Sequence, residues 1–272
     1  MRRVGRFVAL ALALLCGAGA LAQTDRPAPP GDGLPVVAAQ AVRRLPHDPR
    51  AYTEGLFIDR GELYESTGME GRSSLRRVDL ATGRVLARRA LPRAVFGEGI
   101  APWTGPDGRQ ILMLTWRNGF GYRFTRDGFA DTGHFNYMGE GWGMTGHDGQ
   151  IVMSDGTATL RFIDPATFRA TRLLPVTANG RPVDNLNELE WVDGEIFANV
   201  WLTDRIARID PATGHVTGWI DVSALHRASG AMGPDQVANG IAWDAAHRRL
   251  YVTGKEWPAM FEIRLPGQRQ TR

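Results

Sequence analysis

Three kinds of side chain in this sequence could do chemistry, and they recur at matching places. Acids and amides stand at Glu54, Glu98, Glu140, Asn187, Glu188 and Asn239, each at the start of a short strand-like run. Glu65, Trp116, Asp155, Trp201 and Lys255 stand towards the end of the run that follows, and Trp142 accompanies Glu140. A carboxylate can carry protons, an ammonium or amide can hold developing negative charge, and indole walls can orient a small substrate. Lys255 carries an argument of its own. Of 32 basic residues it is the one lysine, so a chain committed to Arg keeps a single compact ammonium there. Glu98 lies between Gly97 and Gly99, where backbone can approach closely. Glu54, Glu98 and Glu140 occupy equivalent places, so the residues alone do not choose the catalytic acid among them. Asp155, in Ser154-Asp155-Gly156-Thr157, equally suits a turn.

Other chemistries find no support. The six histidines are scattered without metal-ligand spacing, and no Gly-x-Ser-x-Gly elbow occurs. No metal site is expected.

These residues need a scaffold that brings repeated strand ends to one place. Five second-strand segments, ELYEST, RQILMLTW, QIVMSD, EIFANVW and RRLYVTGK, are each followed by a third strand. The turns before them centre on Gly61, Gly108, Gly149, Gly194 and His247, 41 to 53 residues apart. Such a period with several strands per unit is the signature of a β-propeller. Fourth strands follow four repeats (RVLARRAL, ADTGHFNY, FRATRLLPV and HVTGWIDV), but the fifth has no room for one. The spare strand VVAAQAVRRL, residues 36–45, is expected to supply it. The expectation is an all-β, five-bladed propeller closed by an N-terminal strand, over residues 36–266. In a blade the first strand lines the channel and the second returns antiparallel to it. The acids, amides, tryptophans and Lys255 should therefore converge on one mouth.

Upstream lie segments outside the fold. Arg2, Arg3 and Arg6 precede an apolar run, Phe7 to Cys16, and Ala20-Leu21-Ala22 suits signal cleavage. Residues 1–22 are expected to be a signal peptide and residues 23–35 a mobile Pro/Gly-rich linker, giving a periplasmic or secreted protein with Gln23 first. A lipidated Cys16 is disfavoured by Leu15, where a small residue is wanted. Losing the leader leaves 29 basic against 29 acidic residues, so nothing points to nucleic acid or anionic membrane. It also removes the one cysteine, and with it disulfide and thiolate chemistry.

The segments YTEGL, LYESTGMEGRSSLR, FGEGI, LTW, GWGMT, SDGT, LNELEW, ANVWLTDRIARIDP, NGIAWD and VTGKEWP resemble the plant and bacterial type of glutaminyl-peptide cyclotransferase. The resemblance covers about residues 45–265 and implies a five-bladed propeller that converts N-terminal glutamine to pyroglutamate and releases ammonia. It implies that Glu98 is the general acid/base, Asn187 a substrate-binding amide and Lys255 the basic group of the site. Trp116, Trp142 and Trp201 become the aromatic walls. Glu54 departs from the plant pattern, which has Gln there, so its hydrogen bonding should differ. Plant-type members allow a structural calcium, but no ligands for it are matched here. The implied enzyme needs no cofactor for catalysis, takes peptides and proteins with N-terminal Gln as partners, and is expected to be a monomer. A peptide- or glycan-binding propeller would keep the tryptophans without needing Glu98, and a metal-dependent propeller hydrolase would lose activity to a chelator.

Overall fold

Short alternating runs and tight turns make this chain nearly all β. At Asp193-Gly194, for example, both residues take positive φ (49° and 90°), the hairpin geometry that matches strand twist. The computed structural model describes residues 32–266. Four-stranded antiparallel meanders form the blades, with boundaries as follows. Blade one is Thr53–Asp59, Glu62–Thr67, Ser74–Val78 and Val85–Ala90. Blade two is Gly97–Gly105, Gly108–Thr115, Phe120–Thr125 and Asp131–Asn136. Blade three is Met144–His147, Gln150–Met153, Thr159–Asp164 and Arg169–Pro175. Blade four is Leu186–Val192, Glu195–Val200, Arg205–Ile209 and Val216–Asp221, and blade five is Ala238–Asp244, Arg249–Gly254 and Ala259–Arg264. The first strands of successive blades adjoin in sequence and the last meets the first, so the ring closes around a channel.

Closure uses the spare segment, but in two pieces rather than one. Gln40–Pro46 adds antiparallel to the outer strand of blade five, Gln40 facing Arg264 and Pro46 facing Ala259. Val36–Ala38 instead pairs in parallel with Val216–Asp221 of blade four. The chain turns between the two blades because Ala39 is buried in the core that joins them. The end of the predicted linker is also docked. Asp32 accepts the Trp219 indole N–H at 2.7 Å, and Pro35 O accepts the Trp219 backbone N–H at 2.8 Å. The predicted signal peptide and most of the linker lie outside the described residues.

The core is divided among the blade interfaces. One apolar cluster lies between each neighbouring pair, such as Phe57, Tyr64, Ile100, Ile111 and Met113 between blades one and two. Another joins blade five to blade one through Leu45, Leu56, Leu63, Tyr251 and Met260. Burying each such side chain is worth about 1.5–3 kcal/mol, so the seam after blade five is held like the others. A seven-residue helix, Ser223–Ser229, and a small hairpin, Thr177–Ala178 with Arg181–Pro182, are additions the repeat pattern did not announce.

Candidate active site

A repeated irregularity aims the functional side chains. Four of the five inner strands open with a register shift against their second strand, between Thr53 and Gly55, Gly97 and Ile100, Leu186 and Leu189, and Ala238 and Ile241. Inside these bulges sit Glu54, Glu98, Asn187 with Glu188, and Asn239. A bulge unpairs the backbone locally and re-aims a side chain, here into the channel. Glycine permits it. A Cβ on Gly55 would come within 2.7 Å of Ile100 N, and one on Gly99 within 2.7 Å of Met144 N. Neighbouring blades therefore touch backbone to backbone while the preceding acid turns inward.

Blades one, two and five bring Glu54, Glu98 and Lys255 together. Lys255 Nζ lies 2.8 Å from Glu54 Oε1 and 2.7 Å from Oε2. Asn239 Nδ2 donates to Glu54 Oε2 at 3.1 Å and to Thr53 O at 2.8 Å. Glu98 shares a hydrogen bond with Glu54. All three ionisable side chains are buried. Burial and the neighbouring Glu54 charge push the Glu98 carboxyl well above the usual range, with Lys255 pulling the other way. Burial acts to lower Lys255, but Glu54 and Glu98 outweigh it and hold the ammonium charged. The group is thus a buried ammonium–carboxylate pair beside an acid that holds its proton more tightly than an ordinary carboxyl.

Aromatic rings surround it. Lys255 Nζ stands 4.6 Å from the Tyr52 ring centroid, Tyr52 meets Phe96 edge-on at 6.1 Å, and Phe96 meets Trp116 at 5.5 Å. Trp142 and Trp201 pack edge to face at 5.5 Å. Asn187 is buried, and its carbonyl accepts from Ser154 Oγ, which in turn accepts Gly143 N–H beside Trp142. Asn187 Oδ1 has no hydrogen-bond partner among the described residues. Tyr52 and Phe96 escaped the sequence reading, although each stands two residues before a bulge acid.

Three residues expected at this mouth do something else. Glu65 is turned into blade one, accepting from Thr53 Oγ1 at 2.8 Å and lying 2.9 Å from His47 Nε2. Its partner comes from the segment that closes the ring, a contact no local pattern reveals. Asp155 is a turn residue, accepting Thr157 N–H and Oγ1 and pairing with Arg161 at 2.7 Å. Glu188 reaches along the channel to accept Leu56 N–H at 3.1 Å and Ile241 N–H at 2.9 Å, tying blade four to blades one and five. A cavity of about 330 Å³ opens at the opposite mouth beside Glu190, Trp191 and Trp243. No lysine stands on its wall, and its two carboxyls are already engaged, Glu190 by Trp243 N–H and Thr145 Oγ1 and Asp193 by Arg248. Among the described residues no group of three or more His, Cys, Asp and Glu is placed to hold a metal ion.

Fold and site together define an enzyme of the β-propeller class, with buried ionisable side chains at one mouth of the channel beside aromatic rings. The chain belongs to the glutamine cyclotransferase family, whose sequence model matches residues 9–265. It is 41% identical over 231 residues to a glutaminyl-peptide cyclotransferase of Arabidopsis thaliana, covering 83% of this chain and 71% of the relative. The crystal structure of Myxococcus xanthus glutaminyl cyclase superposes with a TM-score of 0.79 at 36% identity, over 85% of this chain and 98% of that one.

Proposed function

We propose that Glu98, Glu54 and Lys255 carry out in this chain the reaction of its family, the cyclisation of N-terminal glutaminyl residues of peptides and proteins to pyroglutamate. The observation that carries the assignment is the buried Lys255–Glu54 pair beside a buried Glu98 whose carboxyl is pushed upward. The amine and the carboxamide belong to one molecule, so the first task is to fold the side chain back on itself. Orientation of that kind is worth up to about 7–11 kcal/mol in favourable intramolecular reactions. The walls formed by Trp116, Trp142 and Trp201 supply it around the short aliphatic stem.

The α-amine nitrogen attacks the carboxamide carbon, forming the new C–N bond and placing negative charge on the oxygen. The Lys255 ammonium and the Asn187 amide are the donors available to that oxygen. Neutral Glu98 gives its proton to the departing nitrogen, the C–NH2 bond breaks, and ammonia leaves. The Glu98 carboxylate then takes the surplus proton from the ring nitrogen and regains its starting form. Glu54 keeps Lys255 in place and balances its charge. No redox partner or metal is required by this sequence of steps.

Ammonia release from a Gln-initiated dipeptide by wild type beside Glu98→Gln, each with and without EDTA, tests the reading. Chelator-resistant release that Glu98→Gln abolishes is expected. A folded wild type inactive on several Gln peptides would sink the activity, and release lost to EDTA and restored by a divalent ion would sink the metal-free mechanism. Export and a monomeric state belong to the same proposal. Intact mass of protein from its native host should show a cyclised Gln23 at the N-terminus, and light scattering should give one chain per particle.

A further inference from the structure

The aromatic wall is built from two arcs, and one carboxylate joins them. Tyr52, Phe96 and Trp116 form the first arc and Trp142 and Trp201 the second. A single oxygen, Glu140 Oε2, accepts the indole N–H of Trp116 at 2.7 Å and that of Trp142 at 2.9 Å. The other oxygen, Oε1, accepts Arg117 Nε at 2.8 Å, and that guanidinium lies 3.7 Å from the Trp116 ring centroid. Trp142 is also held on a face, because a Cβ on Gly156 would come within 2.7 Å of its ring. Each indole is therefore fixed by a face contact and at its one polar edge.

Glu140 stands in the loop before blade three, two residues before Trp142-Gly143, the place that Tyr52 and Phe96 hold before Glu54-Gly55 and Glu98-Gly99. Trp142 and not Glu140 matches the bulge acids, contrary to the expectation of three equivalent carboxylates. Burial acts to raise its carboxyl, yet hydrogen bonds from Trp142, Arg117 and Trp116 hold it below the usual range. Among the described residues its carboxylate accepts from Trp116 and Trp142 of the wall and from Arg117, which lies over the Trp116 ring.

We propose that Glu140 is a positioning residue for cyclisation, seating an indole from blade two and one from the blade-three loop on one oxygen and so setting the spacing of the wall. The proposal rests on the cyclotransferase reading of the site. Closing a five-membered ring depends on the reacting atoms being held in a near-attack geometry, and a displacement of about 1 Å can cost about a hundredfold in rate. Glu140 acts on the substrate through Trp116 and Trp142, not through a proton of its own.

The shared oxygen makes the test selective. In Glu140→Gln the one amide oxygen can still accept both indole N–H groups while the contact with Arg117 is lost; Glu140→Ala loses all three. On a Gln-initiated dipeptide, Glu140→Ala should lower kcat/KM by about 10- to 100-fold. Because the Glu140 charge is among those that raise Glu98, Glu140→Ala and Glu140→Gln should share one small downward shift of the pH profile, which separates that charge effect from the loss of the indole seat. Glu140→Gln should stay within about threefold of wild type. Trp116→Phe, which deletes the N–H donor, should cost clearly less in the Glu140→Ala background than in wild type. Equal losses in Gln and Ala variants would overturn the proposal, as would full additivity with Trp116→Phe.

An activity-independent reading comes from the indole N–H resonances of 15N-tryptophan-labelled protein, assigned through Trp116→Phe and Trp142→Phe. Glu140→Ala should move both, and Glu140→Gln should largely restore them; signals that ignore Glu140→Ala would overturn the seat itself. A folded wild type that releases no ammonia from any Gln peptide would instead overturn the cyclotransferase reading, whatever the resonances do.

Discussion

Two tiers of buried glutamate line the channel, and they are built to opposite ends. The upper tier, Glu54 and Glu98, is bonded to side chains: Lys255, Asn239 and each other. The lower tier, Glu188 and Glu190, is bonded largely to backbone of neighbouring blades, at Leu56, Ile241 and Trp243. Burial raises all four carboxyls. Neither burial nor a perturbed pKa therefore separates the proposed proton carriers from the braces. What separates them is the partner. Side-chain partners leave a proton free to move, whereas a carboxylate that satisfies the N–H groups of two other blades holds the ring together.

Substitutions in each tier should have opposite signatures. Glu98→Gln should remove about 10²–10⁴-fold of ammonia release with little change in melting temperature. Glu188→Ala should do the reverse, leaving activity per folded molecule intact while costing about 3 kcal/mol in denaturant unfolding. It orphans two buried N–H groups at roughly 1–3 kcal/mol each. A stable but inactive Glu188→Ala protein would erase the distinction. Lys255→Met should lower kcat by about a hundredfold, close to 2.7 kcal/mol. It also removes the charge that pulls Glu98 down, so the pH profile should shift upward. Lys255→Arg should not restore activity, because the planar guanidinium cannot replace a compact ammonium between Glu54 and Tyr52.

The smallest effect concerns pH. Glu190 is raised by burial from 4.5 to about 8 in the folded protein. Between those values the folded state binds a proton that the unfolded state has lost, so this group makes stability fall as pH rises through that window and then level off. Glu54, Glu98 and Glu188 act in the same direction, so only the difference between wild type and Glu190→Gln isolates it. Chemical unfolding at pH 4.5 and pH 8 should show a fall shallower by on the order of 2 kcal/mol in the variant. An unchanged slope would remove Glu190 from the account.

How much of this was legible depended on how local the cause was. The blades could be read because each hairpin carries its own turn and alternation, from ELYEST to RRLYVTGK. Lys255 stood out by composition, and the aromatic walls by their recurrence at strand ends. The bulges could not be read as such, because a register shift depends on the adjoining strand and blade. Their trace is still there: an acid or amide followed by glycine at Glu54-Gly55, Glu98-Gly99 and Asn239-Gly240. Glu65 misled because its partner, His47, arrives from the closing strand. The division of residues 36–45 between blades four and five depended on where Ala39 could be buried, which the strand pattern alone does not carry.

That divided segment sets the order in which the molecule can be completed. With Gln40 facing Arg264, blade five has no outer strand until the last blade has been made, and the earliest strands wait unpaired for it. Pairing across such a separation must bear the chain entropy of a long loop before any contact rewards it, which makes ring closure the slow, late event. Both ends of the described chain then lock one seam. Moving residues 32–46 behind Arg264 in a permuted chain would turn that closure into one more hairpin, and refolding should quicken while the channel chemistry stays as it is.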